Sequence, residues 1–321
     1  MNLMKRSRTL LLLSLLMFSL LVPRSARADI RLRGFDVYAS NIRGHQSSAV
    51  YGHYLFLVGK KLAYITLYDL KERKQIYTLK LKAHEETLTP QGIVGGDLYH
   101  CNQSNFGPER YAKDDAFPLL YISQRNRPKD GRAFCVALRI QPSYGDKGQI
   151  KSFTAEEIQT VYFPALTDSN TMGTPNVAID LKHKQFVAYC RNTRKLAPDY
   201  DMTHIVRYPL PSLRDAQGQL RTEVYLNDSD EISRFPLHTH AMLSQGGCIK
   251  GNRLYFFQGA PGKAKIKRPV NLYVVDLKRQ KLLLNTNIAN LGFDAEPEGC
   301  FVYRGHIMTS TNGKRIFRMR F

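Results

Sequence analysis

Short apolar runs rich in Tyr, Val, Ile, Leu and Phe recur along the chain, separated by turns of Gly, Asn, Asp and Lys, and a helical apolar period is hard to find. That punctuation predicts an all-β protein. One strand pair returns with slack spacing, each time headed by a polar residue: 46–58 behind Gln46, 91–99 behind Gln91, 245–255 behind Gln245 and 298–307 behind Glu298. In the first, third and fourth copies the polar leader precedes the same apolar position by nine residues (Leu55, Leu254 and Ile307). Gly-His, Gly-Asp and Gly-Asn pairs supply the tight reversals. A second element, with Asp-Leu-Lys at its turn, follows at 67–77 and again at 274–283; a fainter copy at 178–187 reads as an inner hairpin. Outer hairpins are read at 139–140 with 150–153, and at 207–210 with 223–226.

Leader, inner hairpin and outer hairpin make a four-stranded antiparallel sheet, the blade of a propeller. The units fall at 46–85, 86–168, 169–226 and 227–290, with a fifth begun at 291. The last strand, 316–321, sets Phe317, Met319 and Phe321 on one face and Arg318 and Arg320 on the other. The strand-like stretch 30–38 has no unit of its own. Pairing it with the C-terminal strand would close a five-bladed β-propeller and hide both sheet edges. Six or seven blades would follow if 86–168 held an extra one, and a β-sandwich or jelly roll is the alternative architecture.

Residues 1–28 read as a signal peptide. Lys5, Arg6 and Arg8 are followed by the apolar run 10–22, broken only by Ser14 and Ser19, and then by the small-x-small site Ala26-Arg27-Ala28. The run is too short to span a bilayer, which takes roughly 20 residues, and no second one appears. The expected mature chain is 29–321: a monomer without a transmembrane segment, secreted, periplasmic or on the cell surface. Cleavage would lower the formal charge from +20 to +15. Such a surface attracts anionic glycans, envelope polymers or lipid headgroups, and export disfavours nucleic acid. Five cysteines, an odd number without CxxC spacing, read mainly as small buried hydrophobes, with Cys101–Cys135 as the one disulfide worth testing.

In a propeller the loops entering the inner strands gather at one mouth of the channel. Gln46, Gln91, Gln245 and Glu298 are expected to converge there, joined by His45, His238, His240 and Glu296. The run 100–111, ending near Asp114 and Asp115, reads as the longest irregular insertion, and its loop candidates are His100, Asn102, Asn105, Glu109, Arg110 and Tyr111. His238 and His240 share a strand face, but spacing places no third ligand, so neither a metal nor a cofactor is expected. No GxSxG, HExxH, Walker or GxGxxG element is present. Binding is therefore favoured over catalysis. The alternative is a glycoside hydrolase or lyase acting through two of Glu109, Asp294, Glu296 and Glu298.

Gln-Gly at 91–92 and 245–246, with Glu-Pro-Glu-Gly at 296–299, resembles secreted bacterial propellers of the teichoic-acid biosynthesis protein C and phage receptor-binding type. The resemblance implies an envelope role with a glycopolymer ligand, and it carries over to Gln91, Gln245, Glu296 and Glu298. The expected function is thus an envelope binding protein taking an anionic or glycan ligand at the channel mouth. The chain has no Trp for sugar stacking, though its 18 Tyr offer aromatic faces.

Overall fold

The computed structural model describes residues 30–60, 64–81, 101–124, 132–164, 175–191, 202–239, 244–259 and 270–321. Gln91, His100, His240 and the hairpin read at 91–99 lie outside them. The described residues from Leu32 to Phe321 belong to one compact unit, built of five sheets arranged as the blades of a propeller.

Blade 1 is β2 (Ser47–Tyr51), β3 (Tyr54–Val58), β4 (Tyr64–Asp69) and β5 (Lys74–Lys80). Blade 2 is β6 (Cys101–Phe106), β7 (Leu120–Gln124), β8 (Phe134–Tyr144) and β9 (Ile150–Tyr162). Blade 3 is β10 (Asn176–Asp180), β11 (Gln185–Arg191), β12 (Thr203–Pro209) and β14 (Ser233–Leu237). Blade 4 is β15 (Ser244–Lys250), β16 (Arg253–Gln258), β17 (Asn271–Asp276) and β18 (Lys281–Asn287). Blade 5 is β19 (Pro297–Tyr303), β20 (His306–Thr311) and β21 (Arg315–Arg320), with the N-terminal strand β1 (Gly34–Ser40) as its outermost member.

Both chain ends therefore meet in one blade, as the sequence predicts. β1 runs antiparallel to β21 from Gly34↔Arg320 to Ser40↔Arg315, and Arg318 clasps Asp36 at 2.7 Å across the seam, holding that carboxyl below its usual range. Phe317 and Met319 are buried while Arg318 and Arg320 face outward, the alternation read from the sequence, but Phe321, expected on the buried face, is exposed.

Three expectations are corrected. First, 101–106 is strand β6, the inner strand of blade 2, and not part of an irregular loop. Its Asn-Gln-Ser-Asn sequence lacks apolar alternation because an innermost strand faces a polar axis rather than an oily seam. Second, 223–226 does not form an outer hairpin of the third unit. β13 (Glu223–Tyr225) joins blade 2 parallel to β9, and the outer strand of blade 3 is β14, so that unit reaches Leu237 instead of ending at 226. Third, Cys101 and Cys135 project from opposite faces of blade 2 into different cores and are not bonded.

The cores are the seams between blades. Phe56, Phe106, Phe117 and Leu120 pack blade 1 on blade 2; Tyr121, Phe163, Phe186 and Tyr208 pack blade 2 on blade 3. Tyr189, Phe256 and Tyr273 fill the next seam, and Leu55, Tyr68, Phe301 and Met308 join blade 5 to blade 1. Phe56 meets Phe106, Phe117 and Phe153 edge-on at 5.2–5.7 Å. Phe56→Ala is expected to cost about 3–5 kcal/mol, read as a lower urea midpoint; an unchanged midpoint would show that this seam is not the core described.

The recurring Asp-Leu-Lys turn has a local cause. Asp69 Oδ1 accepts the backbone N–H groups of Lys71 and Glu72, and Asp276 Oδ1 those of Lys278 and Arg279, so each aspartate closes its own reversal. Among the described residues no helix is long and apolar enough to cross a membrane.

Candidate functional site: the channel mouth

The inner strands neighbour one another in the ring β2–β6–β10–β15–β19 and back to β2. All five start at the same end of the channel, where their polar leaders gather. Glu298 falls between the pairs Pro297↔Thr311 and Gly299↔Ser310, so it is the extra residue of a β-bulge. Gln245 occupies the same kind of interruption between Ser244↔Gln258 and Gly247↔Phe256, and Asn102 does so between Cys101↔Gln124 and Gln103↔Ser123. Bulges release a side chain from the sheet's alternation and re-aim it. In blade 2 this makes Asn102 the counterpart of Gln245 and Glu298 among the described residues, which do not include Gln91. Gln46 leads β2 from the residue before it.

These groups meet across blades. Gln46 donates its amide N–H to Glu298 Oε2, a bond from blade 1 to blade 5. Gln245 Nε2 donates to Glu296 Oε1 at 2.8 Å, and Asn312 Nδ2 donates to Glu296 Oε2 at 2.8 Å. The backbone carbonyl of Gln245 is itself held from blade 3 by Asn176 Nδ2 at 2.9 Å and the Tyr189 hydroxyl at 3.0 Å. Burial raises the Glu298 carboxyl well above its usual range, and the charge of Glu296 beside it pushes the same way; Lys60, at the end of β3, pulls it back. Burial also raises Glu296, against the bonds from Gln245 and Asn312 and the charge of Lys60. Two neighbouring carboxyl groups, one of them nearly buried, therefore share the mouth with three amides and a cation.

Below this layer the channel is closed. Gln103 reaches across the axis from blade 2 to blade 4, donating to Gly247 O at 2.7 Å and accepting from Gly247 N at 3.0 Å, and it is wholly buried. Beside it the Ser310 hydroxyl lies 2.7 Å from His45 Nε2 and 2.9 Å from Ser48 Oγ, joining blades 5 and 1. The Gln-Gly and Glu-Gly pairs follow from this crowding. A Cβ on Gly246 would lie 2.6 Å from Gly299 Cα, and one on Gly299 would lie 1.9 Å from Ser48 Oγ. Gly246→Ala is expected to cost about 3 kcal/mol, because the atom it meets is backbone. Chemical denaturation checks this, and a wild-type midpoint would contradict it.

The remaining sequence candidates lie elsewhere. Asn105 donates to Val177 O at 2.8 Å and ties blade 2 to blade 3. Glu109 and Arg110 sit at the far end of the propeller: Glu109 Oε2 accepts from Leu213 N at 2.8 Å, and Arg110 donates to the Tyr51 hydroxyl at 2.6 Å. Tyr111 there lies beneath the guanidiniums of Arg139 and Arg214. His238 is exposed and follows β14, the outer strand of blade 3, away from the axis. Asp294 is exposed and pairs with Arg315. Among the four carboxylates considered for catalysis, Glu296 and Glu298 come together while Glu109 and Asp294 do not join them. Sequence reasoning missed Lys60, Gln103, Ser310 and Asn312. Of these only Gln103 left a trace, in the polar run of β6. Among the described residues no group of three or more His, Cys, Asp or Glu could hold a metal ion.

No protein-family model matches the chain, and no curated protein does. Solved structures similar to it include the β-propeller domain of Cps50 (Swd1) from Myceliophteria thermophila, at 11% identity over 91% of each chain and a TM-score of 0.42. Glutaminyl cyclase from Myxococcus xanthus is similar at 10% identity over 90% of this chain and 95% of that one, with a TM-score of 0.42. A protein of unknown function from Bacteroides caccae is similar at 8% identity over 88% and 83%, with a TM-score of 0.39. Overlaps this loose carry no weight here, and the resemblance to the teichoic-acid and phage-receptor propellers gains nothing from them. The architecture rests on the chain's own sheets, which make it a five-bladed β-propeller closed by its N- and C-terminal strands.

Proposed function

We propose that the chain is an exported binding protein of the cell envelope whose channel mouth takes a hydroxyl-rich glycan. The observation that carries this reading is the amide–carboxyl ring of Gln46, Glu298, Gln245, Glu296 and Asn312 above a channel that Gln103 closes. Carboxylates accept hydrogen bonds from sugar hydroxyls and amides both accept and donate, so the ring matches a neutral polyol edge. Of the two ligand classes the sequence points to, anionic and glycan, the mouth favours the second, because a carboxyl hydrogen-bonds a hydroxyl in either protonation state, whereas its ionised form would repel an anion. The basic surface expected of the mature chain would instead hold the propeller near anionic envelope polymers. The signal peptide, the monomeric state and the likeness to envelope propellers belong to the same reading.

The test is a thermal-shift screen of the mature chain against neutral and acidic glycans. A neutral glycan is expected to raise the melting temperature, and Gln245→Ala with Glu298→Ala to remove the shift. No shift across the panel would sink the proposal.

One feature favours a second reading, a glycoside hydrolase or lyase. A buried carboxyl raised by burial beside a second, less buried one is the pattern of an acid–base pair. Product release from the retained glycan, lost in Glu296→Gln, would establish it; intact glycan after prolonged incubation would leave binding alone.

A further inference from the structure

We infer that Cys248 and Cys300 form a disulfide that staples the inner strands of blades 4 and 5 beneath the mouth. Cys248 lies on β15 and Cys300 on β19, neighbours in the ring, and their Sγ atoms face each other at 2.7 Å with both side chains buried. Both stand as free thiols, yet the separation is shorter than the roughly 3.5–4.0 Å at which even carbon atoms, smaller than sulfur, settle in contact. The backbone brings them there: Gly246, two residues before Cys248, lies against Gly299 and the backbone N of Cys300, so the two strands approach at glycine. Burial and the neighbouring Cys248 hold the Cys300 thiol far above its ordinary range, which makes it inert once the strands have closed.

The bond therefore forms while the ring is still open. One thiolate attacks a disulfide oxidant and forms a mixed disulfide. The other cysteine then displaces it, giving the Cys248–Cys300 bond. The two thiols lose two electrons and two protons, and the oxidant leaves as its dithiol or as two thiols. In a cell the oxidant would be an oxidised dithiol oxidoreductase of the export compartment. To that extent the inference rests on the export proposed above; the geometry does not. The cross-link would join positions 52 residues apart and clamp Glu298 and Gln245, three residues or fewer from each sulfur, against motion of their blades.

The experiment separates the two ideas. The mature chain is refolded with oxidised and reduced glutathione, alkylated, digested without reductant and mapped by mass spectrometry. A peptide pair joined through Cys248 and Cys300 is expected. Reduction should lower the melting temperature by roughly 5–10 °C, while Cys248→Ala with Cys300→Ala should be insensitive to reductant. Should that variant not fold, the wild-type map decides alone. Alkylated Cys248 and Cys300 in the refolded protein, or a cross-link to any other cysteine, would overturn the staple. The same map on protein taken from the producing cell reads export: a bond present after refolding but absent there supports the staple and counts against the compartment.

Discussion

Replacing Glu298 by glutamine is expected to weaken glycan binding at least 10-fold while making the protein more stable at neutral pH. The carboxyl is nearly buried, stands beside Glu296 and has Gln46 as its bonded partner. Losing a hydrogen bond and leaving a ligand hydroxyl unpaired in a desolvated site costs about 1–3 kcal/mol, which sets the loss of affinity. Glutamine keeps the shape and an oxygen for Gln46 but removes the group whose ionised form burial and Glu296 both oppose. A gain of about 1 kcal/mol, a few degrees in melting temperature, is the expected order. The sign is pH-dependent. A carboxyl raised in the folded state stabilises fully below its unfolded value and loses that contribution as pH rises, so the gain from Glu298→Gln should be larger at pH 8 than at pH 5 and vanish below about 4. Calorimetry at these pH values checks the stability half, and titration with the retained glycan checks the other. A variant that binds as well as wild type would remove Glu298 from the site.

The second large effect lies on the acid side. His45 is buried, with Nδ1 donating to Arg43 O at 3.0 Å and Nε2 facing the Ser310 hydroxyl. Burial pulls it down from 6.5 to about 4. Between those values the unfolded chain binds a proton that the folded one refuses. Stability therefore falls as pH drops from about 6.5 to 4, by about 3 kcal/mol in all at about 1.4 kcal/mol per unit. Three carboxyls act in the opposite sense, Glu296 among them. With it, Glu157, raised by burial and by Glu223 to about 7 against the bond from Thr160, and Glu298 stabilise at low pH and lose that contribution as pH rises. They mask the histidine in the wild type. In a Glu157→Gln, Glu296→Gln, Glu298→Gln background, urea midpoints between pH 4 and 7 should show a rising limb, and adding His45→Gln should flatten it. A limb that survives the His45 change would place its source elsewhere.

The chemistry that was legible in the sequence is local chemistry. Blades 1, 4 and 5 could be read because each begins with a polar leader, small residues and a two-residue turn; Gly251, for instance, takes a φ of 60° between β15 and β16. Ring closure could be read because 316–321 alternates Phe and Met with Arg and had no partner of its own. β6 could not, since a strand lining the axis gains from Asn, Gln and Ser what a seam strand gains from Val and Phe. The parallel pairing of β13 with β9 leaves no turn signal, and so 223–226 was placed in the wrong blade. At the mouth, Gln46, Gln245 and Glu298 are legible as leaders, and Glu296 as a neighbour of the last. Asn312 and Lys60 are not, because each comes from the connection after the second strand of its blade, which carries no leader signal. The facing of Cys248 and Cys300 depends on two neighbouring inner strands touching at glycine, a fact of packing rather than of spacing.

Glycan binding at the mouth is tested most directly by a binding measurement. Wild type and Glu298→Gln, both shown to be folded, would be compared on an array of neutral and acidic glycans. The wild type is expected to retain at least one neutral glycan and the variant at least 10-fold less of it, with acidic glycans held equally by both through the basic surface. Equal retention of every glycan by the two proteins, or none by either, would contradict it.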